Sequence, residues 1–429
     1  EPWSAIGSMV GGEYLRTGLL RAWKLLLQNH PHDTITGAGI DQMEKDSLYR
    51  ADQVCIISEG LTRRGMGAVQ INIDNSDLSP RDTVLTVFNP CPFPRSGVVS
   101  CFLDMPHLMD YDAFSIQTPE GDKRRFQAKE PFKWATLIRN LQDISIEMPS
   151  NRVHCHVEVD DIPAFGYKTY HLVREPKFGY EPGTLAPETN VLENTHLRAK
   201  FNSDGTIDLT HKASGHTYSG IHYLEDTGET GHSWIHQEPY SNRTITSHGL
   251  PASIELEEAG PLFARMRVEY RMMIPSGIEQ ELTAQFREAF MNYTSRTKDL
   301  KEVIVTSRFT LRADSKRLDV TTSFNNTCRN HRLRVVFPTR LICDRTDAEA
   351  SFDVISRDIH VKEGNAYFGR TNPQYPMYRF VDMTDGAKGF AILNTGIREY
   401  EAIDTQDRPL AITLLRAFTY RNCPIFGRW

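Results

Sequence analysis

Near the start of the chain, apolar residues recur at the spacing of an α-helix. Within residues 13–29 they fall three or four positions apart, which predicts that they share one helical face. These residues are Leu15, Leu19, Leu20, Trp23, Leu26 and Leu27. A second periodic stretch runs from residue 40 to about residue 62 and is expected to end near Gly65 and Gly67. With a shorter helix ahead of both, the pattern predicts a bundle of three-helix type over residues 1–75.

From about residue 80 the pattern changes to the alternation that is typical of β-strands. Within residues 262–272 the even positions are apolar or aromatic, and the odd positions from Arg265 onward are charged. This is the period of a sheet that turns one face to a core and the other to water. The stretch 318–324 repeats it. The sequence therefore predicts a multidomain, mainly β protein, with a small antiparallel β-sandwich over 80–180 and a large one over 185–429.

Composition and charge narrow the classes of partner. The chain has 429 residues, of which 39% are hydrophobic and 24% charged, as in globular proteins of several domains. Its net charge of -6 is not gathered into blocks, so the sequence gives no electrostatic case for nucleic acid or an anionic membrane surface. No apolar run reaches the length of a membrane span. A neutral or small polar partner fits better.

The cysteines and the first residues bear on the origin of the chain. Seven cysteines are widely spaced and form no C-x-x-C pair, which is typical of free thiols in a reducing compartment, so we expect a cytoplasmic protein. The first residues lack both an initiator Met and the layout of a signal peptide. We therefore expect the chain to be cut from a longer protein. The sequence leaves the oligomeric state open, a homo-oligomer included.

The densest chemical signal is the segment His30-Pro31-His32-Asp33, between the two longer predicted helices. Imidazole nitrogen and carboxylate oxygen both suit zinc, so this segment is a candidate metal or catalytic site. A catalytic zinc needs about three protein ligands, and this segment alone is too small to supply them. The alternative is structural, with Asp33 capping the following turn and the histidines covering the helix end.

A second candidate is the stretch 226–236, which mixes carboxylates, histidines and Trp234 between glycines. Such loops often face sugars, because an indole stacks on the C–H face of a pyranose while carboxylates accept its hydroxyl protons. The alternative is a polar loop between strands. The alternating arginines of 329–334 are expected to form the wet face of a strand. Motifs for phosphate cradles, serine hydrolases and zincins are absent from the sequence.

One resemblance joins these observations. Residues 19–37, followed by Ile40-Asp41-Gln42-Met43, resemble the middle-domain signature of glycoside hydrolase family 38 α-mannosidases. Later segments resemble the β-sandwich part of bacterial members, including the mannosylglycerate hydrolase branch. These segments are 87–95, 205–208, 214–215, 331–335 and 411–416. The likeness implies that the larger sandwich is a galactose-mutarotase-like supersandwich, and that an α/β catalytic domain precedes the bundle in the full-length enzyme.

The resemblance also implies a mechanism and a set of roles. Family members are retaining glycosidases, which use a carboxylate nucleophile and a second carboxyl group as acid. In the family, a His-x-Asp pair, the nucleophilic Asp and one histidine of the middle domain bind zinc. His32 matches that histidine, Asp33 matches a carboxylate that contacts the sugar, and Trp234 falls near a tyrosine that packs against it. His30 is expected to lie at the surface or behind the ligands. No catalytic residue is expected in this chain, since nucleophile and acid belong to the absent domain.

The functional expectation is therefore part of a retaining α-mannosidase that acts on terminal α-mannosidic bonds. Its substrate would be a mannoside or mannose-containing oligosaccharide, and its cofactor would be zinc or another divalent metal. This chain would supply one metal ligand and contacts to the substrate, and would be inactive by itself. The alternative is a non-catalytic carbohydrate-binding or structural β-sandwich protein, whose helices only pack on the sheets.

Overall fold

The computed structural model describes residues 1–37, 39–76, 78–79, 82–107, 113–138, 144–179, 182–231, 236–279, 294–360 and 373–418. Within these ranges the chain is mainly β, with four helices at its start followed by 26 strands in six sheets. The helices are α1 (Pro2–Met9), α2 (Arg16–Leu27), α3 (His32–Ile35) and α4 (Asp41–Gln70). This confirms the predicted fold class, and none of the described helices combines the length and apolar composition that a membrane span requires.

The strands that follow the helices fall into two groups along the chain. The first group is β1 (Thr83–Phe88), β2 (Arg95–Pro106), β3 (Ala113–Gln117), β4 (Lys123–Arg124), β5 (Phe126–Ala128), β6 (Phe132–Ile138), β7 (Ile146–Ile162) and β8 (Tyr167–Glu175). The second group begins with β9 (Val191–Glu193), β10 (Leu197–Phe201), β11 (Ile207–His211), β12 (His216–Ile221), β13 (Tyr223–Gly228), β14 (Ile245–Thr246), β15 (Ser253–Glu258), β16 (Phe263–Pro275) and β17 (Leu300–Arg312). It continues with β18 (Asp319–Phe324), β19 (His331–Pro338), β20 (Arg345–Ala350), β21 (Asp353–Asp358), β22 (Gln374–Pro376), β23 (Phe380–Thr384), β24 (Gly389–Leu393), β25 (Glu399–Ala402) and β26 (Pro409–Ala417).

Helix α4 is longer than the sequence pattern predicts, because it continues through Gly65 and Gly67 instead of ending there. The reason is a close helix crossing. A Cβ atom on Gly65 would lie 2.4 Å from the carbonyl oxygen of Trp3 in α1, so glycine permits this contact. Glycine inside a helix lowers stability relative to alanine, but here it allows the backbones of α1 and α4 to approach each other closely.

The buried side of α2 also differs from the prediction. Leu19, Ala22 and Leu25 are buried, whereas Leu20 and Trp23 are exposed, as is Leu27. Helix α2 packs on α4, and the side of α2 that carries Leu20, Trp23 and Leu27 faces outward. The sequence period predicted a helix correctly, but two apolar sides were present and the pattern could not say which would be covered.

Strands β1–β8 form the small sandwich. One sheet has the order β1-β8-β3-β4, and the other has the order β2-β7-β5 with β6 also paired to β7. Their core includes Phe114, Ile116, Val153 and Val157, all fully buried. Cys155 lies in this core opposite Cys101, with 3.6 Å between the two sulfur atoms, and every cysteine within the described ranges is a free thiol.

Strands β9–β26 form four further antiparallel sheets around a second, larger core. The alternation predicted for residues 262–272 is confirmed, since the even positions of β16 are buried in that core. The prediction for residues 318–324 is only partly right, because Val320 is exposed. Strand β18 is at the edge of its sheet, where covering is incomplete. The domain boundaries at 75–80 and 180–185 stay predictions.

A mixed polar and aromatic contact joins the two cores. The ring of His156 in β7 stacks on Phe263 of β16, with 3.9 Å between centroids. Next to it, the Gln127 side chain hydrogen-bonds to the backbone N–H and carbonyl oxygen of Phe263. The carboxylate of Glu258, at the end of β15, lies 2.9 Å from Nε2 of His156 and 2.6 Å from Nζ of Lys129. The small sandwich thus meets the large one through a largely buried carboxylate and the polar side chains that contact it.

Candidate functional site

The first candidate segment forms a tight junction between α2 and α4. A single turn of helix, α3, replaces the predicted loop, and Pro31 occupies its N-cap position. The amide groups of Thr34 and Ile35 both donate to the Pro31 carbonyl oxygen, and the Thr36 hydroxyl donates to the carbonyl oxygen of His32 at 2.6 Å. The backbone is therefore held by local hydrogen bonds, while the side chains remain available.

His32 and Asp33 point into solvent side by side. Their side chains are 92% and 60% exposed, and Nε2 of His32 lies 3.3 Å from Oδ1 of Asp33. Neither α3 nor α4 has a side-chain cap hydrogen bond, so the alternative that Asp33 caps the following turn is wrong. His30 is exposed as well.

The donor set at this junction fits a metal only in part. Imidazole nitrogen is a good zinc ligand, and His32 is free to present it. Among the described residues, however, no three His, Cys, Asp or Glu side chains come together as a metal would require. The described residues therefore do not form a metal site by themselves, and His32 offers a single exposed imidazole.

Several large apolar side chains are exposed around the junction. Ile35, Ile40 and Met43, which flank His32 and Asp33 in sequence, are all exposed. The outer side of α2, described above, adds to this surface. Exposed apolar surface of this kind is typical of a face that another protein segment covers.

In the second candidate stretch, the first carboxylate serves the fold. Asp226 is fully buried, accepts from Arg296, and lies 2.6 Å from Nδ1 of His331. The Arg296 guanidinium also donates to the Asp226 carbonyl oxygen at 3.2 Å. All of these contacts are internal, so Asp226 is a structural carboxylate and not the sugar acceptor that the sequence pattern suggested.

Glu229 is the second carboxylate of the stretch, and it is also fully buried. Its Oε2 atom lies 2.7 Å from Nδ1 of His236 and accepts from Arg416 Nε at 2.8 Å. Burial by itself would raise the pKa of Glu229, but His236 and Arg416 outweigh it and lower this pKa to about 2. The predicted sugar contact Trp234 lies outside the described residues.

The alternation of residues 329–334 predicts arginines on a solvent-exposed face of a strand, and this prediction is wrong for Arg332 and Arg334. Arg332 and Arg334 in β19 are both buried. Arg334 donates to Glu225 of the neighbouring strand β13 and to Glu401 of β25, the latter at 2.6 Å. Alternation in one strand cannot reveal this, but acidic residues at matching positions of other strands are a signal that pairing was available.

These residues share the polar face of one six-stranded sheet, with the order β14-β13-β19-β26-β25-β22. Arg332 is paired in register with Thr227 on one side and Arg416 on the other. Leu333 and Val335 alternate with the arginines and point into the large core. The sheet thus separates an apolar core from a buried layer of charges.

Comparison with known proteins identifies the family. The sequence model described as "Glycosyl hydrolases family 38 C-terminal domain" matches residues 192–423, more than half of the chain. The chain belongs to glycoside hydrolase family 38. This confirms the resemblance drawn from the junction motif and the later segments.

Individual relatives agree with the assignment. A protein of Halalkalibacterium halodurans, provisionally named a mannosylglycerate hydrolase, is 23% identical over 92% of this chain and 46% of its own length. The crystal structure of an alpha-mannosidase from Enterococcus faecalis superposes with a TM-score of 0.88 at 24% identity, covering 97% of this chain and 49% of that one. A second family 38 structure from Enterococcus faecalis gives a TM-score of 0.86, with 97% and 50% covered. The family 38 chain described here thus spans about half the length of these relatives.

Proposed function

We propose that this chain is part of a retaining α-mannosidase that hydrolyses terminal α-mannosidic bonds with a divalent metal, zinc in the first instance, in its active site. Membership of family 38 supports glycoside hydrolysis. The names of the matched relatives support a mannoside as substrate. Because those proteins are about twice as long, we place the nucleophile and the general acid in the part of the enzyme that this chain does not include.

The observation that carries the proposal is the exposed pair His32 and Asp33. Their backbone is fixed between two helices, yet within the described residues each side chain has only the other as a polar contact. A histidine and a carboxylate held in place but not used by the fold are available to a ligand. This is what a contribution to a shared active site requires.

Each residue then has a role. His32 offers an imidazole nitrogen as one metal ligand, and Asp33 accepts a hydrogen bond from a sugar hydroxyl. Trp234 is proposed to pack against the sugar ring. When bound, the cation would hold substrate hydroxyls and stabilise negative charge on them. In this chain the two junction residues orient the substrate, and the bond-breaking groups lie elsewhere.

The apolar surface around the junction supports a shared active site. Ile35, Ile40 and Met43 are exposed beside His32 and Asp33. We infer that the part of the enzyme carrying the nucleophile covers this surface, which would bring its own ligands next to His32. The free thiols within the described ranges support a reducing compartment, so we place the enzyme in the cytoplasm.

The decisive test is His32→Ala in the full-length enzyme. Loss of one ligand of about four should lower bound metal and turnover of an aryl α-mannoside together. The matched control is His30→Ala, two residues away and also exposed, which should keep both. Unchanged metal content in the His32 variant would remove His32 from the site.

A companion measurement separates the enzyme from a binding protein. The 429-residue chain alone should fold but leave aryl α-mannosides intact, because we place the nucleophile in the part of the enzyme that this chain does not include. If a full-length protein carrying both intact junction residues also fails to hydrolyse any mannoside, the non-catalytic carbohydrate-binding alternative is favoured.

A further inference from the structure

Two thiols of the small sandwich face each other across a pair of strands. Cys101 in β2 and Cys155 in β7 are directly opposite in the antiparallel register, and their Sγ atoms lie 3.6 Å apart. Directly opposite residues of such strands have Cα atoms about 4.5–5.5 Å apart, which is inside the range of about 4.4–6.8 Å that a disulfide spans. Both are free thiols, so a disulfide can form here without a change of register.

The fold fixes the register at this point. Ser100 and His156, the next pair along the two strands, are also directly opposite, and the Ser100 hydroxyl lies 2.8 Å from Nδ1 of His156. Val153 and Val157, on either side of Cys155 along the same face of β7, are fully buried in the core of the small sandwich. The two sulfur atoms are therefore held side by side by a packed sheet.

The two thiols differ in their access to solvent. Cys155 is fully buried, whereas Cys101 is only partly buried and lies on β2, an edge strand of its sheet. The hydrogen bond with Cys155 lowers the pKa of the Cys101 thiol below its usual value, which favours the thiolate on the accessible sulfur. The same hydrogen bond, together with burial, raises the pKa of Cys155. An accessible thiol with a lowered pKa beside a second thiol is typical of redox-sensitive cysteines.

We propose that Cys101 and Cys155 are a reversible modification site, which hydrogen peroxide oxidises to a cross-strand disulfide. The Cys101 thiolate attacks a peroxide oxygen, so an S–O bond forms while the O–O bond breaks, and the released hydroxide takes up a proton and leaves as water. The sulfur of Cys155 then attacks the Cys101 sulfur, so the S–S bond forms while the S–O bond breaks, and a second water leaves. Two thiols thus lose two electrons and two protons, and one peroxide is reduced to two waters.

The strand geometry also favours reversal. Directly opposite residues have Cβ atoms about 4.5–5.5 Å apart, whereas a disulfide prefers about 3.5–4.5 Å. Closing the bond must draw β2 and β7 together, and a disulfide strained in this way is easier to reduce. Because His156 follows Cys155 directly, the movement takes place beside the contact with Phe263 and Glu258 of the large sandwich. The pair is thus reduced at rest and oxidised only when peroxide is present.

The test is peptide mapping of the full-length enzyme by mass spectrometry, before and after treatment with hydrogen peroxide. Free thiols are blocked with iodoacetamide under denaturing conditions before digestion. After peroxide we expect the peptides carrying Cys101 and Cys155 to be linked, at a mass lower by two hydrogen atoms than their sum, and we expect excess reduced glutathione to separate them. The matched control is Cys55→Ser, which removes an exposed thiol in α4 and should leave the yield of this link unchanged.

Two variants assign the order of the steps. Cys101→Ser, at the partly buried position, is the safer variant for folding and should abolish the link. In Cys155→Ala no resolving thiol remains, so Cys101 should carry sulfinic acid instead, and an unmodified Cys101 in this variant would remove it as the attacking thiol. Three results would overturn the site: no linked peptide after peroxide, a link already present before treatment, or a link that glutathione leaves intact. The proposed mannosidase activity does not enter any of these readouts, so either inference can fail while the other holds.

Discussion

Replacing Glu258 tests whether the contact between the two sandwiches is energetically important. Its side chain is 9% exposed and accepts from His156, Gln127 and Lys129, the first at 2.9 Å and the last at 2.6 Å. Glu258→Gln keeps the shape but removes the charge. The His156 side chain, which is buried, would then face an amide in place of a carboxylate with little water to compensate, whereas the half-exposed Lys129 would keep part of its hydration.

The expected loss can be estimated from these contacts. Removing one partner of a buried ion pair costs about 3–5 kcal/mol. Lys129 is half-exposed, so we take the lower end, about 3 kcal/mol. A unit of 150–250 residues loses about 2–4 °C in Tm per kcal/mol, which gives a fall of about 6–12 °C for the large sandwich.

Differential scanning calorimetry measures this fall, and the preceding residue provides the control. Glu257 is the neighbouring residue in β15 and forms an ion pair with Arg308 at the protein surface. Glu257→Gln should therefore lower the free energy of unfolding by less than about 1 kcal/mol. If Glu258→Gln unfolds at the same temperature as Glu257→Gln, the buried contact contributes nothing and the reasoning is wrong.

The pH dependence of Tm gives an independent check that the charge on Glu258 stabilises the fold. Burial would raise the pKa of Glu258, but His156 and Lys129 lower it from 4.5 to about 2. A carboxyl with a lowered pKa adds stability above its unfolded pKa and loses it as pH falls through the folded value. The difference in Tm between parent and Glu258→Gln should thus be full near neutral pH and shrink from about pH 4.5 toward pH 2. A difference that grows on acidification would contradict the assignment.

Two further predictions concern the helical segment. In the full-length enzyme, Asp33→Asn and Asp33→Ala should each lower kcat/KM for aryl mannosides by about one to two powers of ten at unchanged Tm, since a charged hydrogen bond to a hydroxyl contributes about 1.5–3 kcal/mol; parent kinetics in both would exclude a substrate contact. Gly65→Ala should lower the thermal stability of the chain by about 1–3 kcal/mol, because its Cβ would meet the Trp3 carbonyl, whereas Gly60→Ala, with open space around it, should raise stability by up to about 1 kcal/mol. Equal effects of the two glycine variants would refute the close crossing.

Secondary structure could be predicted from the sequence more reliably than the environment of individual side chains. The alternation in 262–272 identified a strand with the correct buried face, because a core-facing strand leaves a strong period of two. The same logic failed for the arginines of 329–334. Whether a polar face meets water or other charges depends on strands that are distant in sequence, such as those carrying Glu225 and Glu401.

The candidate site shows the same limit. The position of His32 and Asp33 at a helix junction was predictable, because the flanking periodicity is local. Their role as ligand and substrate contact is still a prediction, since the described residues bring no further metal ligands beside them. Within the described residues, Arg332 and His236 have buried nitrogen atoms without a hydrogen-bond partner, and this could not be predicted because it depends on distances between elements that are far apart in sequence.

The buried layer on the six-stranded sheet also limits how this family member can diverge. Arg334 pairs with both Glu225 and Glu401, so replacing it alone would leave Glu225, whose side chain is largely buried, without a counter-charge, and Glu401 with only the 3.6 Å contact to Arg332. Such a step costs several kcal/mol, whereas exchanging all members for apolar residues of similar volume is often neutral. Drift at these positions is therefore confined to concerted exchanges, and in a lineage they should co-vary as a block while the strands around them change one residue at a time.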